Sequence, residues 1–278
     1  MVTIELEAAS QIGASSMIKT VIAFLLFLGL HGPAGAQERT ATPYPAMAPV
    51  AAYRIADAKD EIALARSAAP PSISANASVL VLGSRGYETA IKGHNDFVCF
   101  VERSWTAGFN DPEFWNPKIR APNCFNPAAV RSVLPQYLKR TEWALAGLDK
   151  RQIMAKARDA FASHVFVQPE PGSLSFMLSK QGYLSDAAAG PWLPHVMHFV
   201  PRGQAAAWGA GLKGSPIIGA DGGPLEPTIL LVPVRRWSDG SPAPGALAPR
   251  ADRGQSAPDS TPWVNASLPP ARRFSLAQ

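Results

Sequence analysis

The chain has 278 residues, of which 47% are hydrophobic and 17% are charged, and its net charge is +5. This composition is typical of a globular protein with fewer charges than usual. No dense cluster of Lys and Arg is present, which argues against nucleic-acid binding. The length allows one or two domains, and we expect one because both ends of the chain lack a periodic pattern.

The first 36 residues have the pattern of a secretory signal peptide. A lysine precedes an apolar run over residues 21–30, and residues 34–36 fit a small-x-small cleavage site. This run is too short for a hydrocarbon core of roughly 30 Å, which takes about 20 residues. An uncleaved anchor is the alternative. We expect a cleaved signal over residues 1–36 with Met17 rather than Met1 as the start, and a periplasmic or secreted protein without membrane attachment.

Cys99 and Cys124 are the only cysteines in the chain. In an oxidising compartment two cysteines pair more often than they stay free, so we predict a disulfide between them. Closing a loop of this length would contribute about 3–4 kcal/mol in the chain-entropy model. Two buried reduced thiols are the alternative, and the absence of a C-x-x-C motif argues against a redox role.

The mature chain begins with a predicted linker over residues 37–53, which is rich in Pro, Ala and Thr. Periodic patterns then cover residues 54–237, which we interpret as one domain. Apolar residues recur at helical spacing over 55–66 and predict a short amphipathic helix that ends before Pro70-Pro71.

The hydrophobic period changes to two after this helix, which predicts β-strands. The predicted strands, joined by four-residue turns, are 79–82, 87–92 and 97–101. We expect an antiparallel meander whose third strand is central, because that strand is apolar on both faces.

The connection over residues 104–125 has no period, and a long irregular loop in a compact domain is usually functional. The segment 93–129 that contains it holds both cysteines and seven large aromatic residues. These are Phe97, Phe100, Trp105, Phe109, Phe114, Trp115 and Phe125. We expect the disulfide and the aromatic side chains to hold the connection against the sheet.

Two helices are predicted after this connection. Asn126-Pro127 is a typical helix start. The apolar stripe that follows reaches Leu148, and Pro135 should kink or split the helix. A capping box at Asp149 begins the second helix, so the two helices should form a hairpin.

Strand patterns return over residues 173–179, 195–200 and 228–234, with one or two helical turns over 204–212. Residues 238–278 are rich in Pro, Ala, Gly and Ser and predict a disordered tail. Together the elements predict an α+β fold, with an antiparallel sheet of about five to seven strands packed with a helical hairpin. A two-layer sandwich with helical insertions is the alternative.

Histidine residues offer few arrangements for catalysis or metal binding. His195 and His198 are spaced H-x-x-H, but on a strand this spacing directs them to opposite faces, so we expect no metal site. No phosphate-binding, dinucleotide-binding or nucleophile motif is present, and we expect no cofactor. His94 lies in a predicted turn, and it could act with His195 if a carboxylate such as Glu102 lay near both.

Other candidate residues surround the third strand. Glu102 and Arg103 end this strand, and an ion pair at the rim of the sheet is the simpler interpretation. A Glu102 buried in a pocket is the alternative. The aromatic residues of the 97–125 region, including Trp105, could line a pocket with Trp192 for a flat apolar molecule or a sugar ring. They could equally fill the core.

Three stretches of the sequence, 93–105, 122–127 and 190–195, resemble an uncharacterised family of bacterial secreted proteins. The resemblance covers roughly residues 55–215. It implies export and a shared fold, and it implies no catalytic residues.

We therefore hypothesise a periplasmic or secreted binding module that uses the aromatic-rich loop to bind a small apolar or sugar-like ligand or a protein partner. The candidate ligand-binding residues are His94, Glu102, Trp105, Trp192 and His195. The alternative is a hydrolase-type enzyme that uses His94, His195 and a nearby carboxylate. A structural envelope component without a ligand is a third hypothesis.

Overall fold

The structure is a computed structural model that describes residues 43–186 and 193–244. The predicted signal peptide over 1–36, Trp192 and most of the predicted tail lie outside the described residues. Within the described part, no helix combines the length and the apolar character that crossing a bilayer requires.

A mixed sheet of eight strands forms the centre of the described part, in the spatial order β2-β1-β3-β4-β5-β6-β8-β7. The strands are β1 (Ser78–Leu82), β2 (Tyr87–Ile91), β3 (Val98–Glu102), β4 (Ala121–Phe125), β5 (Leu174–Met177), β6 (His195–Val200), β7 (Ile218–Ala220) and β8 (Thr228–Pro233). The α-helices are α1 (Ala58–Arg66), α2 (Pro71–Ser74), α3 (Pro127–Ser132), α4 (Leu134–Leu145) and α5 (Lys150–Ala162). The α+β prediction fits, but the sheet is larger than expected and is not purely antiparallel.

The predicted antiparallel meander is wrong because β3 pairs with β1 rather than with β2. β1 is antiparallel to β2 and parallel to β3. The chain therefore crosses the start of β1 on its way from β2 to β3, and the backbone N–H of His94 donates to the carbonyl O of Asn76 at 2.9 Å. A Cβ on Gly93 would lie 2.3 Å from the backbone of Ala77, so this crossing needs glycine. A hydrophobic period of two predicts which face of the sheet each side chain occupies. It does not predict which strand pairs with which.

β4 lies inside the segment 104–125 that the sequence predicts as a loop. All five residues of β4 are buried, and the strand pairs with β3 along its whole length. A strand buried on both faces shows no alternation of apolar and polar residues. Pro122 and Asn123 also occupy its middle, and both residue types are rare in strands.

The predicted disulfide is confirmed. Cys99 and Cys124 lie directly opposite each other on β3 and β4, with their Cα atoms 3.9 Å apart. Both are fully buried on the face of the sheet that α1 covers, together with Val79 and Val101. The cross-link therefore joins two adjacent strands rather than a loop and a strand.

The opposite face of the sheet packs against α3 and α4. Aromatic side chains dominate this core: Phe100 and Phe125 contact each other edge to face, and both contact Tyr137 of α4. Phe199 of β6 extends the cluster. This face also carries the candidate site.

The predicted helix pair is present, with the break that proline dictates. α3 ends at Ser132 and α4 begins at Leu134, which places Pro135 in the first turn of α4, where a missing N–H costs little. Asn126 caps α3, and Asp149 forms the predicted capping box at the start of α5 with Gln152.

The contribution of Asn126, the N-cap of α3, to stability can be tested by substitution. Asn126 Oδ1 accepts from the N–H groups of Ala129 at 3.0 Å and Leu174 at 3.1 Å, so it joins α3 to β5. Asn126→Ala should lower the free energy of unfolding by about 1–2 kcal/mol, measured by urea denaturation. Asn126→Ser keeps an N-cap acceptor and should lose less, while both variants lose the donor from Nδ2 to the carbonyl O of Gly172 at 2.9 Å. Equal losses in the two variants would contradict this role.

The end of the predicted linker packs onto the domain. Residues Val50–Tyr53 form a short 3-10 helix. Tyr53 is fully buried, and its hydroxyl donates to the carbonyl O of Trp115 at 2.8 Å. Residues 50–53, which the sequence assigns to the linker, therefore pack against the rest of the described chain.

The polar side of α1 holds an unexpected buried charge. Glu61 is 2% exposed, and its Oε1 lies 2.8 Å from Nη2 of Arg103, which is 1% exposed. The same oxygen accepts from the N–H of Leu82 at 3.1 Å. Arg103 also donates through Nε to the carbonyl O of Tyr53 at 2.7 Å. This ion pair joins α1, β1, β3 and the N-terminal segment.

Candidate functional site

A cavity of about 380 Å³ lies on the α4 side of the sheet. Its floor is the apolar surface of the sheet and the adjoining loop, formed by Ile119, Ala121, Met177, Met197, Ile229 and Leu231. Its walls carry polar and charged side chains, among them Glu102, Thr106, Arg140, His195 and Glu226. Apolar floor and polar walls are typical of small-molecule sites.

The pairing of the strands explains which side chains reach the cavity. Phe100 lies opposite Asn123 in the β3–β4 register, and Glu102 follows Phe100 by two residues, so all three share a face. Met177 of β5 lies opposite His195 of β6 and faces the same side. The end of β3 and the start of β6 therefore supply polar groups to the same cavity.

The carboxyl group of Glu102 has a pKa well above its usual value. Its Oε2 accepts from Asn123 Nδ2 at 3.0 Å, and its Oε1 lies 3.0 Å from Thr106 Oγ1. Burial raises the pKa of Glu102 to about 7, although these hydrogen bonds and the charge of Arg140 act in the opposite direction. Glu102 thus changes protonation state near neutral pH.

The expected ion pair between Glu102 and Arg103 is not formed. Successive residues of a strand point to opposite faces, so Arg103 points away from the cavity and pairs with Glu61 instead. Among the described residues, no cation forms an ion pair with Glu102. Glu102 therefore lies in the wall of the cavity, as the alternative interpretation of this residue expects.

Arg140 of α4 supplies the positive charge of the cavity wall. Its side chain is only 7% exposed, and one Nη2–H donates to the carbonyl O of Ala107. The guanidinium carbon lies 4.3 Å from the centre of the Phe109 ring, a cation–π contact. Burial lowers the pKa of Arg140 to about 10, so it stays charged at neutral pH. Arg140 forms no ion pair within the part of the chain that the structure describes.

The two candidate histidines lie apart. His195 is 3% exposed in the cavity wall, its Nδ1 lies 2.9 Å from the carbonyl O of Leu193, and burial lowers its pKa. His94 is exposed in the turn before β3. Glu102 ends this strand of five residues, so about 13 Å of strand separates the turn from Glu102. The structure therefore places Glu102 and His195 in one cavity and His94 outside it.

The aromatic residues of the loop fill the core instead of the cavity wall. Trp105 is fully buried, and its Nε1–H donates to Thr141 Oγ1 at 2.9 Å. Phe109, Phe114 and Trp115 are also buried. The loop lines the cavity with smaller residues at 106–108. Trp192, the other aromatic candidate, lies outside the described residues.

Sequence reasoning missed Arg140, Glu226 and Asn123. Arg140 lies within the apolar stripe of the predicted helix, three residues after Tyr137, and a charged residue at that position is the one signal available. Asn123 lies on β4, whose sequence has no strand period. Glu226 comes from the loop before β8 and carries no local pattern.

No group of three or more His, Cys, Asp and Glu side chains in the described residues is arranged to hold a metal ion. Comparison with models of known protein families, with curated proteins and with solved structures finds none that matches this chain. The resemblance to a family of secreted bacterial proteins stays a prediction. The geometry of the site is that of a small cavity with an apolar floor and buried polar and charged groups in its wall.

Proposed function

We propose that this protein is a periplasmic or secreted binding module whose cavity holds a small molecule with an apolar body and a polar head group. The observation that carries the proposal is the cavity of about 380 Å³ in which an apolar sheet surface meets Glu102 and Arg140. Ligand sites commonly have volumes of about 300–1,000 Å³, with a few polar groups set in apolar walls. The apolar body would lie on the sheet and the head group beside α4.

Two features support a location outside the cytoplasm. The N-terminal sequence has the pattern of a secretory signal. The Cys99–Cys124 disulfide belongs to a class of cross-link that persists in oxidising compartments and is rare in the cytosol. A ligand met by this protein would therefore come from the cell envelope or from outside the cell.

Catalysis is the second candidate function, and the titration of Glu102 near neutral pH favours it, since such a carboxyl suits a general acid or base. Its proposed partners are poorly placed for proton transfer. β4 and β5 lie between β3 and β6, so the backbones of Glu102 and His195 are about 14 Å apart across the sheet. Binding is therefore better supported than hydrolysis.

The cavity can be tested with an uncharged fluorescent probe, N-phenyl-1-naphthylamine. Leu231 lines the cavity from β8, whereas the adjacent Val232 points to the other face of the sheet. Leu231→Trp should fill part of the cavity and weaken probe binding about tenfold or more, a loss of at least about 1.4 kcal/mol. Fluorescence titration of the purified protein gives the dissociation constants.

Val232→Trp is the matched control, because it adds the same side chain to the same strand and should leave probe binding unchanged. An equal loss in both variants would place the probe outside the cavity. Saturable binding that survives Leu231→Trp would do the same, and a protein that does not bind the probe at all would contradict the proposed function.

A further inference from the structure

Two acceptors compete for one hydroxyl hydrogen in the cavity wall. Thr106 Oγ1 lies 2.8 Å from the carbonyl O of Arg103 and 3.0 Å from Oε1 of Glu102. A threonine hydroxyl has one hydrogen to donate and two lone pairs that accept. Thr106 therefore can make a full two-centre hydrogen bond as donor to only one of these oxygens, and sharing its hydrogen would weaken both contacts.

A proton on Glu102 resolves this competition. The carboxylic acid would donate from Oε1 to Thr106 Oγ1, and Thr106 would donate to the carbonyl O of Arg103, so that both contacts are hydrogen bonds. The second carboxyl oxygen would act as the carbonyl that accepts from Asn123 Nδ2 at 3.0 Å. The hydrogen-bond geometry thus fits a neutral Glu102, in agreement with the rise of its pKa to about 7 through burial.

No cation among the described residues forms an ion pair that would stabilise an ionised Glu102 in place of this proton. Arg103 is paired with Glu61, and no ion pair joins Glu102 to a described cation. The titratable groups that face the carboxyl include Tyr87 from β2 and Tyr137 and Arg140 from α4, and burial raises the pKa of both tyrosines. Asp111, His195 and Glu226 line the rest of the cavity.

The charged groups of the cavity wall differ in how far their hydrogen-bonding atoms are already used within the protein. Both carboxylate oxygens of Glu226 already accept from backbone N–H groups, those of Phe109 at 2.6 Å and Gly223 at 2.9 Å. Asp111 Oδ1 accepts from the N–H of Glu113 at 2.7 Å. Arg140, in contrast, is 7% exposed, and its buried Nε has no hydrogen-bond partner among the described residues.

Ser104 adds a second unused polar group to the same wall. It is 1% exposed, lines the cavity, and its Oγ also has no hydrogen-bond partner in the described part. A buried N–H or O–H without a partner costs free energy comparable to a lost hydrogen bond. The positive charge of Arg140 lines the cavity and is not balanced by an ion pair with a described residue, so it would attract an anionic head group and repel a cation.

We propose that the cavity selects amphipathic carboxylates, whose anionic head group is held by Arg140 beside an uncharged Glu102, so that binding requires Glu102 to keep its proton. This inference rests on the proposed function and names the ligand class. An ionised Glu102 would repel the incoming anion in a site of low dielectric. Binding should therefore be strong below the pKa of Glu102 and weaken as the pH rises through it.

Three probes with the same chain and different head groups test the selection: octanoate, 1-octanol and octylamine, each used to displace N-phenyl-1-naphthylamine. Octanoate should bind best at pH 6. Its affinity should fall about tenfold between pH 6 and pH 8, because a group that titrates near pH 7 is about 90% protonated at the lower value and about 10% at the higher. The affinity of octanol should not change with pH.

Glu102→Gln removes the titration and should keep the affinity for octanoate equal at pH 6 and pH 8. Glu142→Gln is the matched control, since Glu142 is a partly exposed residue of α4 that pairs with Lys139 and does not line the cavity, and it should retain the wild-type pH dependence. Stronger binding of octylamine than of octanoate, or octanoate affinity in the wild type that does not change with pH, would overturn the inference.

Infrared difference spectroscopy tests the protonation without a ligand. At pH 6 the wild type should show the carbonyl band of a neutral carboxylic acid that Glu102→Gln lacks, and this band should decline by pH 8. A missing band at pH 6 overturns the inference even where the probe binds. Failure of the probe to bind, with the band present, contradicts the proposed function instead.

Discussion

Arg103→Ala is expected to lower the free energy of unfolding by about 3–5 kcal/mol, the range seen when one partner of a buried ion pair is removed. Arg103 and Glu61 are 1% and 2% exposed and lie 2.8 Å apart. The substitution leaves the Glu61 carboxylate buried without its cation. It also removes the donor at 2.7 Å to the carbonyl O of Tyr53. Urea denaturation followed by circular dichroism measures the loss.

Two controls separate the buried pair from a general effect of removing arginine. Arg131→Ala breaks an exposed ion pair with Glu170, whose oxygen lies 2.6 Å away, and should cost less than about 1 kcal/mol. The double variant Glu61→Leu, Arg103→Met leaves no unpaired charge and should recover part of the loss. Arg103→Ala with wild-type stability would show that the pair does not hold α1 to the sheet.

Replacing both cysteines by alanine should lower the free energy of unfolding by about 3–4 kcal/mol, because the cross-link no longer restricts the unfolded chain. Cys99 and Cys124 are separated by 25 residues in sequence. The slope of the free energy against urea concentration should rise, since the unfolded state without the cross-link exposes more surface.

The reduced wild type provides the comparison for this variant. Chemical reduction removes the bond and keeps both sulfur atoms, so the reduced protein and the alanine variant should show similar losses relative to the oxidised protein. An alanine variant as stable as the oxidised wild type would show that this bond contributes nothing to stability.

Local patterns predicted the elements whose signals lie within a few residues. The caps at Asn126 and Asp149, the break at Pro135 and the strands β1, β2 and β6 follow from spacing and residue type. β4 could not be found in this way, because a strand with Pro122 and Asn123 at its centre and both faces buried has no period. The parallel pairing of β1 and β3 depends on contacts across the sheet, which no local pattern records.

Of the candidate site residues, Glu102 and His195 were predictable because each is a polar residue at one end of a strand, and both line the cavity. Glu102 could be singled out at the end of β3, yet two of the groups around it, Asn123 of β4 and Arg140 of α4, lie about 20 to 40 residues further along the chain. The aromatic loop, by contrast, suggested ligand-binding rings, but the structure buries these rings in the core. Residue type alone does not distinguish a ring that lines a cavity from one that fills a core, and Trp105 belongs to the core.

The cross-link between β3 and β4 has a consequence for the cavity on the other side of the sheet. Sliding one strand past its neighbour by a single residue exchanges the two faces of that strand. A slipped β4 would turn Asn123 away from Glu102 and leave the carboxyl without its amide donor. Because Cys99 and Cys124 can bond only when they lie opposite each other, oxidation of the pair would select the alignment that assembles this cavity.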